Sequence, residues 1–127
     1  MASATRLPLR RKLFGTEVAG SDFVFHAKRG AKRRVRVRIG KPYEVSSLEW
    51  ACPVEIRGFE PRYPDMRGVD AVQALGLALA TARCRIEDFI DKGGRVLDLG
   101  DRSEWDRRAL MAAFGATPWK KGRMTGR

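Results

Sequence analysis

The chain has 127 residues, a length typical of one domain, and 43% of them are hydrophobic, enough to bury a core. Its 26 Lys and Arg residues outnumber 15 Asp and Glu residues, which gives a formal net charge of +11. With two cysteines and no apolar run of membrane-spanning length, the sequence excludes a disulfide-stabilised scaffold and a protein with a transmembrane helix.

The positive charge is concentrated at the two ends of the chain. Residues 1–41 hold 12 Lys and Arg against 2 acids, residues 42–115 hold 10 against 13, and residues 116–127 hold 4 against none. This layout favours an anionic partner such as nucleic acid, although the charge can also serve only solubility and weak polyanion affinity. We expect a partly flexible basic arm over residues 1–21, one domain over residues 22–115 and a disordered basic tail over residues 116–127.

A β-hairpin is predicted over residues 22–39. Alternation places Phe23 and Phe25 on one face of the first strand. The second strand alternates three aliphatic residues with three arginines, so one sheet face is apolar and the other carries an arginine row. Gly30 provides the turn. The candidate nucleic-acid-binding residues are the basic side chains of this hairpin: Lys28, Arg29, Lys32, Arg33, Arg34, Arg36 and Arg38. The alternative is that charge protects an edge strand from strand addition.

A third strand is predicted over residues 50–59 after a polar connection. Pro53 has no N–H to donate, so it requires an edge or a bulge. Glu55 and Arg57 lie on the face that pairs with the arginine row, where Glu55 would partly neutralise it. Residues 60–69 predict a turn and a short irregular strand, roughly residues 63–68.

The longest periodic segment, residues 70–92, predicts an α-helix. Apolar residues spaced by three and four define one face, which includes Val72, Leu75 and Leu79. Asp70 is suited to the N-cap with Gln73 completing a capping box, and Gly93 is suited to ending the helix.

Residues 71–82 of this helix carry no charge, which predicts cover on more than one side. One interpretation is that a second helix, residues 104–114, capped by Asp101 or Ser103, covers this half. The other is a partner or dimer surface that includes Ala71, Ala74 and Ala78.

The predicted fold class is α+β in two layers. A mainly antiparallel sheet of four or five strands, including a short one at residues 95–99, packs on the long helix, with a short C-terminal helix at one side.

Two motifs carry a family resemblance. The first is Trp50-x-Cys52-x-Val54-x-Ile56-x-Gly58, and the second begins Gly68-Val69-Asp70-Ala71-x-Gln73-Ala74-Leu75. Over about residues 22–100 the chain resembles an uncharacterised bacterial family of small α+β proteins. The resemblance implies a β-meander leading through a Gly-x-Asp step into an Ala/Leu-rich helix, and it implies no catalytic residue.

The residue pattern disfavours enzyme chemistry. Cys52 and Cys84 lie in segments predicted to be buried, and His26 falls on a separate strand from Cys52, so we expect no thiol nucleophile. Neither a metal site nor a cofactor is predicted, because ligand spacings and phosphate-binding glycine motifs are absent from the sequence. The acids of residues 98–106 alternate with arginines, which predicts a self-paired surface.

We therefore expect a non-catalytic, cytoplasmic module that binds an anionic partner, with nucleic acid first, through the basic hairpin. The alternative is an immunity-like, antitoxin-like or adaptor protein that caps an acidic protein partner. A homodimer is compatible with both, and no membrane partner is expected.

Overall fold

A computed structural model describes residues 13–115, and it confirms the α+β class. Within this range seven strands and two helices follow one another: β1 (Glu17–His26), β2 (Lys32–Gly40), β3 (Tyr43–Ser46), β4 (Glu49–Cys52), β5 (Val54–Arg57), β6 (Met66–Gly68), α1 (Ala71–Asp91), β7 (Arg95–Asp98) and α2 (Arg107–Phe114). Neither helix combines the length and hydropathy that crossing a membrane requires.

The strands form two antiparallel sheets, where the sequence predicted one. Sheet 1 has the order β5-β2-β1-β7 and sheet 2 has the order β3-β4-β6. The predicted third strand is divided at Pro53, where the chain passes from sheet 2 to sheet 1. Because proline cannot donate to a ladder, it suits this transition, and its carbonyl instead accepts from Gly40 N at 2.9 Å. The predicted polar connection also contains a strand, β3.

The predicted hairpin is confirmed as the β1–β2 pair, with Phe23 opposite Val35. β1 begins at Glu17, so the last residues of the predicted arm belong to sheet 1. Phe14 precedes the strand, and its ring centroid lies 4.1 Å from the Arg38 guanidinium and 5.1 Å from that of Arg62. Residues 1–12 and the predicted tail lie outside the described range.

Both predicted ends of the long helix are confirmed. The Asp70 side chain accepts from Gln73 N at 2.8 Å, while the Gln73 side chain accepts from Val69 N at 2.7 Å. At the other end Gly93 has φ +97°, and Gly94 N donates to Phe89 O at 3.0 Å. These contacts satisfy backbone groups that the first and last helical turns leave without partners.

The buried face of α1 differs from the predicted one. Four residues at four-residue spacing are fully buried against the sheets: Ala74, Ala78, Ala82 and Ile86. Val72, predicted to point inward, is 79% exposed. The small alanine side chains let the backbone of α1 approach the strands closely, so the stripe of closest packing follows them and not the larger residues.

The predicted interface at Ala71, Ala74 and Ala78 requires correction. The last two are fully buried within the chain's own core, and Ala71 is half-buried. Strands β4 and β6 pack on this half of the helix. Ala74 and Ala78 therefore stabilise the fold and do not form a free surface.

The C-terminal helix is shorter than predicted and lies elsewhere. Its N-cap is Asp106, whose carboxylate accepts from Ala109 N at 2.9 Å, so neither Asp101 nor Ser103 caps it. Arg107 pairs with Glu87 and Asp91 of α1. This pairing places the start of α2 beside the charged half of α1, while Ala113 and Phe114 at its other end line one groove with Leu79.

We expect Gly76→Ala to stabilise the protein by about 0.5–1 kcal/mol, because a β-carbon there meets nothing within 4 Å and alanine favours a helix interior. Gly68→Ala is the contrasting variant, since its β-carbon would lie 2.6 Å from Ala74 N. We expect that change to cost about 1–3 kcal/mol. Urea unfolding measures both, and destabilisation by Gly76→Ala would contradict the packing described for this helix face.

Candidate nucleic-acid interface

The arginine row lies on the face of sheet 1 that points away from α1, here called the outer face. Val35, Val37 and Ile39 point to the core and are at most 3% exposed. Because side chains alternate along a strand, the arginines between them must face outward. Arg34 is exposed, whereas Arg36 and Arg38 are half-buried.

Fixed carboxylates pair with two arginines of the row. Arg36 pairs with Glu17 and, at 2.8 Å, with Asp22. Arg38 donates to Glu17 and to Glu55, each at 2.8 Å. The charge of the row is therefore neutralised at Arg36 and Arg38. Glu55 pairs with the row, as the sequence predicted.

Glu17 is a member of this network that sequence reasoning missed. It fell within the predicted basic arm, and simple alternation places it on the same face as Phe23. A register shift between Glu17 and Ala19 reverses the alternation and brings its carboxylate to the arginines. The pKa of Glu17 lies below its usual value, first because Arg36 donates to the carboxylate and then because Arg38 does.

The remaining five candidates form what we call the basic tip: Lys28, Arg29, Lys32, Arg33 and Arg34. All five are exposed, and none makes an ion pair within residues 13–115. The seven predicted residues are thus divided into five that present charge to solvent and two that share it with carboxylates.

An aromatic cluster holds the turn end of the β1–β2 hairpin. The ring of Phe25 stacks on Phe89 with centroids 4.7 Å apart and meets Phe59 edge-on at 5.1 Å. Such pairs add about 0.5–1.5 kcal/mol each beyond the burial of their area. Lys28 lies against Gly93, at the end of α1 where the helix dipole favours a cation. The strand ends that carry the basic tip are therefore anchored to the core.

Other candidate chemistry has structural roles. The Asp98 carboxylate accepts from the N–H groups of Gly100 and Asp101, and Glu104 pairs with Arg95. Among the described residues no group of three or more His, Cys, Asp or Glu could hold a metal. Cys52 is buried, and burial raises the pKa of its thiol to about 12. Cys84 is exposed, so the prediction that both cysteines are buried was wrong for it.

We expect Glu17→Gln to destabilise the protein at neutral pH, and the loss to shrink as the pH falls below 4.5. A carboxylate with a lowered folded-state pKa stabilises the fold above its unfolded pKa, and this stabilisation disappears as the pH drops through the folded value. Urea unfolding at several pH values measures the difference from the wild type. Glu44→Gln, at an exposed glutamate, is the control, and a pH-independent difference for Glu17→Gln would contradict the pairing.

Comparison with known proteins gives a family without an assigned activity. The sequence profile of a domain of unknown function (DUF6968) matches residues 22–106. Searches of the curated proteins and of the solved structures found no match. The matched range runs from the predicted hairpin through β7 to the N-cap of α2, which confirms the resemblance to an uncharacterised family. The chain therefore belongs to the DUF6968 family, a family of unknown function.

Proposed function

We propose that this protein is a non-catalytic module that binds nucleic acid through the basic tip of its β1–β2 hairpin. The observation that carries the proposal is a group of five exposed Lys and Arg side chains on one anchored hairpin end, none of which makes an ion pair within residues 13–115. Nucleic acids are common biological polyanions that such a cluster can bind, because each contact between a cation and a phosphate releases counterions from the nucleic acid.

The geometry of the hairpin suits a phosphate backbone. A two-stranded ribbon fits the major groove of duplex DNA and can also follow a single strand. Residues 1–12 add Arg6, Arg10, Arg11 and Lys12 to the charge of the chain, and residues 116–127 add four further basic residues. Contacts of such residues with phosphates would strengthen binding without selecting a nucleotide sequence.

Burial makes Cys52 unsuited to nucleophilic catalysis, and the two unpaired cysteines support an intracellular location. A thiol whose pKa is raised to about 12 is almost wholly protonated at neutral pH, which makes Cys52 a poor nucleophile. The two cysteines are unpaired, as is usual in reducing compartments. We propose a bacterial cytoplasmic protein on this basis and on the resemblance of its motifs.

The alternative of an acidic protein partner is less well supported by the geometry. It combined steering by the arginine row with apolar contact at the uncharged half of α1. The exposed apolar residues of that half, Val72 and Leu77, lie on α1, whereas the arginine row lies on the face of sheet 1 that points away from α1. One partner would therefore have to reach two different faces of the domain.

We expect the double variant Arg33→Glu with Arg34→Glu to bind a nucleic acid at least about tenfold more weakly than the wild type at low salt. The slope of log K against log salt should become shallower by about two, because two phosphate contacts are lost. Fluorescence anisotropy with labelled DNA or RNA over a salt series measures both quantities.

The matched control is Lys41→Glu with Arg108→Glu, which changes the net charge equally at two exposed cations away from the tip. Equal weakening by the two double variants would show that only net charge matters and would overturn the assignment to the tip. Failure of the wild type to bind any nucleic acid at low salt would overturn the proposed function, and an acidic protein would then be the partner to seek.

We expect Glu17→Gln to strengthen nucleic-acid binding, because it releases Arg36 and Arg38 from a shared carboxylate. Glu44→Gln makes the same charge change at an exposed glutamate outside the network. The same anisotropy assay should show a gain of about threefold or more for Glu17→Gln over the control. If the two variants bind equally, releasing Arg36 and Arg38 from Glu17 does not add to nucleic-acid binding.

A further inference from the structure

A surface groove of about 240 Å³ lies beside the arginine row on the outer face of sheet 1, and it is lined by Val24, Lys32, Arg33, Arg34, Leu99 and Arg102. A second groove of about 210 Å³ shares Arg34 and Leu99 with it and extends toward Gly58. Each is smaller than the roughly 300–1,000 Å³ of pockets that take a drug-sized ligand. This region therefore suits a group smaller than a whole cofactor.

The floor of the groove is apolar. Val24 alternates with Phe23 and Phe25 and so lies on the charged face, yet it is only 4% exposed. The chain that follows β7 covers it, since Leu99 N donates to Asp22 O at 3.3 Å and Leu99 lines the groove beside Val24. An apolar floor is unnecessary for binding phosphate alone.

The rim of the groove is cationic. Lys32, Arg33, Arg34 and Arg102 make no ion pair within residues 13–115. The acid nearest in the neighbouring groove, Asp22, is already paired with Arg36 at 2.8 Å. Alternation along β2 turns the Arg33 side chain to the same face as Val35, so the groove joins an apolar floor to three cations available for anions, Lys32, Arg34 and Arg102.

Arg102 is held at the rim in an uncommon backbone conformation. Its φ is +63°, a left-handed value that costs a non-glycine residue about 1–2 kcal/mol. Its N–H donates to Asp98 O at 3.1 Å, which fixes the loop. A glycine would fit this position without that cost, and the chain has an arginine there.

We propose that this groove binds single-stranded nucleic acid, with one base on Leu99 above the buried Val24 and adjacent phosphates on Arg34 and Arg102. This inference rests on the proposed function and narrows it. In a duplex the bases are stacked inside, so a duplex meets only the rim, whereas an unstacked base reaches the floor as well. Unstacked bases pack on guanidinium planes and on aromatic or aliphatic side chains, and this groove offers arginines and Leu99.

Three labelled probes test the strand type by fluorescence anisotropy: a thymidine strand of about 15 nucleotides, an abasic strand with the same number of phosphates, and a duplex of the same length. We expect the thymidine strand to bind at least about fivefold more tightly than the abasic strand and more tightly than the duplex. Equal affinity for the abasic strand, or tighter binding of the duplex, overturns the inference while leaving the proposed function intact. Absence of binding to all three overturns both.

Two variants locate the effect in the groove. Leu99→Ala should reduce the affinity for the thymidine strand about threefold or more and leave the abasic strand unchanged. Leu48→Ala, at a leucine of the β3–β4 turn that is 80% exposed, should change neither. If Leu99→Ala leaves the preference for the thymidine strand intact, the floor does not contact a base.

Arg102→Gly tests whether the Arg102 side chain contributes to binding, and we expect it to leave the fold intact. Because glycine adopts a positive φ freely, we expect the urea midpoint to stay equal or rise, while affinity for both single strands falls about threefold or more. Arg108→Gln removes the same charge elsewhere and serves as its control. Equal affinities of these two variants would exclude Arg102 from the binding site.

Discussion

The alternation of residues along β2 is the constraint on which the rest of the structure depends. This strand pairs with both β1 and β5, so its inward face is committed to the core and its outward face to a row of arginines. A one-residue slip would exchange the two faces and bury guanidinium groups. The register of sheet 1 is therefore strongly specified, and the position of the positive charge follows from the packing of the core.

The neighbouring strands then determine which arginines of β2 are paired with carboxylates and which are available to a partner. Glu17 and Asp22 come from β1 and Glu55 from β5, so Arg36 and Arg38 are paired from both sides. Arg34 lies opposite Val24, which has no charge to offer. The same ladder that orients the row thus leaves Arg34 without an ion pair within residues 13–115, next to the turn residues and the groove.

Local features were predictable from the sequence, and features that depend on distant contacts were not. The caps of α1 and the β1–β2 hairpin follow from short patterns, and both were confirmed. The predicted inward face of α1 was wrong at Val72, because the prediction followed hydrophobicity, which ranks valine above alanine. Close packing of α1 on the sheets instead buries Ala74 and Ala78. The division of one predicted strand at Pro53 required knowledge of two sheets, although the proline did mark the place.

The candidate site was predictable to a similar degree. The arginine row and the Glu55 contact came from alternation, and the other four basic residues came from the basic link of the predicted hairpin. The bulge that turns Glu17 outward has no marker in the sequence. The groove was also hidden, because Leu99 and Arg102 are more than 60 residues from Arg34 in the chain and meet it only through the pairing of β7 with β1.

The carboxylates bound to Arg36 and Arg38 affect the entropy of association with any polyanion. An arginine that already has a fixed anionic neighbour neutralises little of a phosphate's charge, and so it expels few of the mobile cations condensed around the strand. In the proposed binding mode, Glu17 would therefore compete with every polyanion alike for these two arginines. A ligand would then gain an advantage by offering an apolar surface that matches Leu99 on this face of the sheet.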